Sequence, residues 1–399
     1  MSRLSPTSLL LNLGHGLDHL FLLIFATAVA TIAVEWGMVW QDLMPYTAGA
    51  FVLFGLGSLP AGRLGDLWGR RAMMVIFFMG IGAAACLVAF AQGPWTLAAA
   101  LVLMGAFASI YHPVGIPMLV QGAKNPGFTI GVNGLAGNLG IAGAAILTGF
   151  LVKMIGWRAA FVVPGLLAIA CGVLFAALVP REETAPAKRP KKSVDLPRDV
   201  MMRVFFVMTL AAISSSLIFN FTTNGNGQLM TERLAGLVDD PATLGVLLAV
   251  VYTIASFAQL VVGKLIDRYP LKRVYLPIVA AQVPLFLLAA QAQGWALYAA
   301  ALGFMVFVFG AIPFVDAMIV QYVDDRMRSR VSGMRLAVSF GVSSLAVYTL
   351  GPVVKGAGFT TLLLVMAGLA AMTTLFVSML PGAVRSAEMA TPAAAPASR

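Results

Sequence analysis

Twelve apolar runs, most of them near twenty residues long, follow one another along almost the whole of this 399-residue chain. A charge-free stretch of that length is what a helix needs to cross the ~30 Å hydrocarbon core of a bilayer. Inside that core only helices and closed strand barrels satisfy every backbone N–H and C=O. The runs are continuous and do not alternate every second residue, which excludes a barrel. The sequence therefore predicts an all-α integral membrane protein of twelve transmembrane helices. With 60% hydrophobic and 11% charged residues and a mean hydropathy of +0.92, it leaves no room for a sizeable soluble domain.

The first run, near Leu9 to Val34, is too long for a signal-peptide core and no small-residue cleavage site follows it, so it reads as a retained span. Five more runs complete an expected six-helix unit over residues 1–180. Residues 181–203 then carry prolines and the cations Arg181, Lys188, Arg189, Lys191, Lys192, Arg198 and Arg203, the composition of a solvated linker. A second six-helix unit is expected over 204–380, followed by an Ala/Pro-rich tail, 381–399, expected to be disordered. Cys86 and Cys171 sit inside apolar runs and read as small buried hydrophobes.

The placement of charge gives an orientation. With a cytoplasmic N-terminus, only Lys153, Arg158, Arg233 and Lys355 of the 26 Lys and Arg fall at outer ends. The positive-inside rule then puts both termini and the linker in the cytoplasm, with the chain in the cytoplasmic (inner) membrane. It also accounts for the net charge of +10 without a nucleic-acid partner.

The two halves repeat. Gly62-Arg63-Leu64-Gly65-Asp66, leaving the second span, recurs as Gly263-Lys264-Leu265-Ile266-Asp267 leaving the eighth. Met118-Leu119-Val120-Gln121 recurs as Met318-Ile319-Val320-Gln321. Parallel six-helix repeats are the layout of one transporter fold, with the substrate site between the halves near mid-membrane.

The longer segment Gly62-Arg63-Leu64-Gly65-Asp66-Leu67-Trp68-Gly69-Arg70-Arg71 resembles the signature between the second and third helices of the major facilitator superfamily. The resemblance implies a cytoplasmic lock, made in one conformation and released in the other, on Gly62, Asp66, Gly69, Arg70 and Arg71, with Asp267 in the second copy. A topology anchor alone is the plainer alternative. Ser109-Ile110-Tyr111-His112-Pro113 and the glycine-rich fifth span, with Asn133 and Asn138, are similar to the fosmidomycin-resistance type of exporter. The usual drug-antiporter arginine of the fourth helix is absent, with Leu101 near its place, and the fifth helix lacks the Gly-Pro pair of typical antiporters.

Glycines 131, 134, 137, 140 and 143 recur every third residue and trace a slanting groove where another helix can cross closely. That groove suits tight packing, a sliding surface, or both. The buried amides of Asn133 and Asn138 beside it need partners from a neighbouring helix or from substrate.

Ionisable side chains are expensive inside a bilayer and mark function. Asp18 and Asp316 are the acids expected well within spans, and all three histidines, His15, His19 and His112, are in spans too. His15, Asp18 and His19 share one face of the first helix at i, i+3 and i+4. In the resembled fold the fourth helix lines the same cavity and brings His112. A histidine beside an aspartate in a low-dielectric cavity can exchange a proton near neutral pH. The same cluster suits a structural hydrogen-bond network or direct substrate contact. Three histidines and a carboxylate are also competent transition-metal ligands, but the motif is short and soft ligands are scarce, so no metal or cofactor is expected. Arg335 is expected to pair with Asp316 or with the Asp66 cluster, or to snorkel to the surface. The seventh helix, with Ser214, Asn220, Thr222, Thr223 and Asn224 around Gly225, is expected to line the cavity and to bend or unwind near Gly225.

These features point to a monomeric secondary transporter, not an enzyme, with protons, a small-molecule substrate and the lipid bilayer as its partners. Export is expected from the finer resemblance; uptake by symport fits the residues nearly as well. No nucleotide-binding Gly-x4-Gly-Lys-Ser/Thr loop occurs, so ATP drive would need a partner. A membrane metalloenzyme on the three histidines, or a transporter-like sensor, are the other classes considered.

Overall fold

The computed structural model describes residues 5–121, 123–182, 186, 198–238, 241–323 and 327–380, which form helices and no strands. In chain order the spans are α1 (Pro6–Glu35), α2 (Ala48–Trp68), α3 (Arg70–Val88), α4 (Pro94–Val120), α5 (Pro126–Met154), α6 (Trp157–Leu178), α7 (Arg198–Arg233), α8 (Thr243–Arg268), α9 (Leu271–Gln291) and α10 (Gly294–Val320). The last helical stretch, Arg328–Ser378, breaks at Gly358, whose φ of 75° and ψ of 168° no helix accommodates. It is therefore two spans, α11 (328–357) and α12 (359–378). Ten stretches are long and apolar enough by themselves to cross a bilayer. Splitting one at Gly358 and adding α2, whose hydropathy is lowered by five glycines, Arg63 and Asp66, gives the expected twelve.

Local sequence sets the ends and the breaks. Ser5 Oγ accepts the N–H of Ser8 and Pro6 occupies the first turn of α1, satisfying donors that a helix start leaves free. Within α4 the helix widens to a π turn over Tyr111–Gly115, because Pro113 has no N–H and its ring crowds the carbonyl four residues back. The interruption recurs in α10, which parts between Ala311 and Pro313. Pro113 and Pro313 stand 200 positions apart, so the duplication extends to helix defects.

The outer surface is apolar. Val34, Phe90 and Trp95 are each more than three-quarters exposed, which suits acyl chains and not water. Of the expected linker, Lys188, Arg189, Lys191 and Lys192 lie outside the described residues, as does the tail 381–399.

Glycines bring the halves together. A Cβ on Gly62 would meet the carbonyl oxygen of Ser329, and one on Gly333 the carbonyl oxygen of Ser58, so α2 and α11 cross with backbones in contact. Ser58 Oγ adds a 2.7 Å hydrogen bond to Gly333 O at this crossing. The glycine stripe of α5 serves two neighbours in turn. Its start faces α8, where Gly131 abuts Gln259 O and Gly134 abuts the Gln259 side chain. Its next two members face α1, where Gly137 lies under the His15 ring and Gly140 against Gly16 O. Gly143 meets only Leu20, at 3.8 Å.

Candidate functional site

The crossing of α1 and α5 puts His15, Asp18 and His19 on the inward face of α1, and the π turn of α4 delivers Tyr111 and His112 against them. All five are buried, with Asp18 fully so. His15 Nδ1–H donates to the carbonyl oxygen of Asn133 at 2.8 Å. In a neutral ring that leaves His15 Nε2 as an acceptor, so His19 Nε2–H donates to it across 3.1 Å. Tyr111 stacks on His15 with ring centroids 4.8 Å apart, and His112 stands edge-on to His15 at 4.9 Å and to His19 at 5.5 Å.

Asn133 ties this cluster together. Its amide Nδ2 donates to Asn12 Oδ1 at 2.9 Å and to Tyr111 Oη at 2.8 Å, while the Tyr111 hydroxyl donates to Leu11 O at 2.7 Å. Asp18 is different in kind. Neither of its oxygens has a hydrogen-bond partner among the described residues, and neither ring nitrogen of His112 has one. The two face each other at 3.7 Å, His112 Nε2 to Asp18 Oδ2. Desolvated and under-bonded polar groups are costly to fold around, which marks the pair as something other than scaffolding.

In the second half Arg335 Nη2 donates to Asp316 Oδ1 at 2.8 Å in a largely buried ion pair. Of the three expected fates of Arg335, pairing with Asp316 is the one observed. Phe54 of α2 touches both sides of the central region, edge-on to His112 at 5.9 Å and to Phe340 of α11 at 4.5 Å.

Toward the ends of α2 and α8 lies a second set of contacts. Asp66 Oδ2 accepts the backbone N–H of Arg330 at 3.1 Å, at the start of α11. Asp267 accepts the N–H groups of Gly127 and Phe128 at 2.9 and 2.8 Å, at the start of α5. Each acid ends a helix of one half and caps a helix of the other, where exposed donors and the helix dipole favour negative charge. Arg70, fully buried, sits 3.7 Å from Asp66 Oδ1 and donates to Ser329 Oγ and Pro117 O, both at 3.2 Å. Arg71 turns the other way, to Val179 O and Ala176 O on α6 and its flank at 2.7 and 2.6 Å, and its N–H reaches Glu182. Gly69, at φ 104°, makes the turn that separates the two arginines.

Comparison with known proteins decides the family. The sequence model described as Major Facilitator Superfamily matches residues 11–333. The chain belongs to the major facilitator superfamily. The structure of the human organic anion transporter MFSD10 (TETRAN) superposes with a TM-score of 0.72, covering 93% of this chain and 99% of that one at 16% identity. A Streptomyces coelicolor protein described as a probable actinorhodin transporter is 33% identical over 154 residues, 37% of this chain and 26% of its own. The tetracenomycin C resistance and export protein of Streptomyces glaucescens is 24% identical over 202 residues, 49% and 36% of the two chains. The matches thus span about a quarter to a third of these curated relatives. Membership gives the chain the many-spanning helical membrane fold of that superfamily.

In this major facilitator protein the structure brings His15, Asp18, His19, Tyr111, His112 and Asn133 into one cluster and pairs Asp316 with Arg335. Asn138 is buried beside them with its Nδ2 lacking a hydrogen bond among the described residues. Asn220 and Asn224 donate instead to carbonyls of their own helix, Ser216 O and Asn220 O. The expected unwinding at Gly225 does not occur: α7 stays helical through to Arg233, its hydroxyls and amides folded back on the preceding turn. Sequence reading missed Asn12, three residues before His15 on the same face, and Gln259, a lone buried amide in an apolar run.

Proposed function

We propose that this transporter exports a small molecule by proton-coupled alternating access, as the fosmidomycin-resistance resemblance implies. The single observation that carries the coupling is Asp18, a buried carboxylate 3.7 Å from His112, neither of them with a hydrogen bond among the described residues. Burial penalises each lone charge, so the pair has two affordable states: both neutral, or an ion pair. Both states hold one proton, on Asp18 in the first and on His112 in the second, so a transfer between the two side chains switches one for the other. Release of that proton to cavity water leaves the bare Asp18 carboxylate beside a neutral imidazole, and its uptake restores the pair. His15 and His19, already joined through one shared hydrogen, extend the path along α1. Arg335 and Asp316 stand as the charged contribution of the second half to the same cavity.

The conformational gate lies at Asp66 and Asp267, with Arg70 holding Asp66 and with Gly62 and Gly69 allowing the close approach. Arg71 anchors α3 to α6 beside it. Under the positive-inside rule this end, both termini and the 181–203 linker are cytoplasmic, and the two halves, 1–180 and 204–380, rock about the central site in a monomer in the inner membrane. The outward direction is supported by the tetracenomycin C export protein among the relatives.

The test is flux in proteoliposomes, with a substrate taken from a thermal-shift screen of metabolites and antibiotics. A pH gradient imposed across the vesicle drives accumulation in the parent protein, while Asp18→Asn equilibrates substrate without concentrating it. Accumulation by Asp18→Asn equal to the parent removes Asp18 from the coupling path, and absence of saturable flux in the parent leaves a sensor.

A further inference from the structure

We propose that His15, His19 and His112 form a binding site for a borderline divalent transition-metal ion of the Zn2+ class, with the Asp18 carboxylate beside His112 offsetting part of its charge. One ring nitrogen from each of the three buried histidines lies within 4.8 Å of the others. In a tetrahedral site with Zn–N bonds of about 2.0–2.1 Å the ligand nitrogens stand roughly 3.3 Å apart. His15 Nε2 and His19 Nε2, at 3.1 Å, already have that spacing. His112 closes the remaining gap with a movement of about 1.5 Å or less, on a π turn where the regular helical bonds are interrupted.

The chemistry of each ligand fits. His15 donates Nδ1–H to Asn133 O, the outer-shell carbonyl contact that fixes a metal-ligating imidazole in its tautomer and aims Nε2 at the ion. His19 presents Nε2 once its ring proton resides on Nδ1, a tautomer change with no net loss of a proton. Among the described residues neither nitrogen of His112 and neither oxygen of the fully buried Asp18 carboxylate has a hydrogen bond, and the carboxylate is aimed at His112. Three neutral imidazoles and one carboxylate leave a net charge of +1, half that of the bare ion. Imidazole donors select Zn2+ and its neighbours over Mg2+ or Ca2+, which prefer oxygen. An ion there occupies the atoms that the proposed coupling step uses, so it blocks proton transfer while bound.

The binding argument rests on geometry; only the blocking consequence rests on the proton-coupled reading. Tag-free full-length protein in detergent, dialysed against Zn2+ and measured by elemental analysis, is expected to hold one ion per chain. Co2+ is expected to give the visible absorption of a tetrahedral site. His19→Gln and His112→Gln each weaken binding by roughly tenfold or more, and the triple variant with His15→Gln, His19→Gln and His112→Gln binds none. Wild-type protein that binds no ion, or a triple variant that binds as well as the parent, overturns the site. Zinc absorption-edge spectroscopy of the wild type covers variants that fail to fold, since a spectrum lacking imidazole scattering overturns it as well. Metal binding by a protein whose Asp18→Asn form still concentrates substrate leaves this site standing while the coupling path fails.

Discussion

Asp66 and Asp267, 201 positions apart, do mirrored work: each leaves the end of a helix in one half to cap the first turn of a helix in the other, α11 and α5 respectively. The burial of the two differs. Asp66 is almost fully enclosed with Arg70, whereas Asp267 is exposed to solvent and to screening by salt.

Asp66→Asn is therefore expected to loosen the contact between the halves more than Asp267→Asn does. A hydrogen bond to a buried charge is worth about 1.5–3 kcal/mol, a tenfold to hundredfold change in the ratio of closed to open forms. Spin labels at the exposed residues Trp68 and Tyr269 read this directly. The distance distribution is expected to shift to longer values in Asp66→Asn and to move little in Asp267→Asn at high salt. Equal shifts in both would mean that burial does not set the strength of the latch.

Gly137 tests the fit of α1 against α5. A Cβ there would stand 2.7 Å from His15 Cε1, too close for any packed pair. Gly137→Ala is expected to push the ring off Asn133 O and cost about 1–3 kcal/mol, seen as a lowered midpoint of thermal unfolding in detergent. Gly143→Ala, whose new methyl meets only Leu20 at 3.8 Å, is the matched control and should leave the midpoint unchanged or slightly raised.

The ion pair of Asp316 and Arg335 follows the arithmetic of buried charges. Arg335→Met strands a carboxylate in a low-dielectric interior and is expected to destabilise by about 3–5 kcal/mol, whereas Asp316→Leu with Arg335→Met removes both charges and recovers most of that loss. Thermal unfolding of the two variants side by side measures the difference. A double variant as unstable as the single one would show that the pair's surroundings, not the stranded charge, set the cost.

The architecture was legible because bilayer physics is simple: apolar length gave the spans, and the repeat of Gly62 to Asp66 at Gly263 to Asp267 gave the duplication. The cluster of His15, Asp18, His19 and His112 was legible for the same reason, since embedded titratable groups are rare. The directions of individual side chains were not. Nothing in the sequence separates adjacent Arg70 and Arg71, yet the turn at Gly69 sends one into the interface with α11 and the other to α6. The polar run of α7 misled for a related reason: serine, threonine and asparagine can satisfy themselves on the preceding turn of their own helix, so polarity did not require unwinding at Gly225.

Whether the network around Asn133 is scaffold or machinery turns on the direction of its hydrogen bonds. Its amide is the donor to both Asn12 Oδ1 and Tyr111 Oη, and the tyrosine passes its own hydrogen to Leu11 O. Tyr111→Phe removes one donor and one acceptor and leaves one Asn133 amide hydrogen unbonded, while Leu11 O keeps its bond within α1, a cost of about 1–3 kcal/mol. It leaves the contact of His15 with Asn133 O and the facing of Asp18 and His112 untouched. The expected result is a lower unfolding midpoint with gradient-driven accumulation per folded molecule retained, in contrast to Asp18→Asn, which keeps the midpoint and loses accumulation. If Tyr111→Phe instead abolishes accumulation at an unchanged midpoint, the hydroxyl belongs to the proton path and the division between Asn133 and Asp18 is wrong.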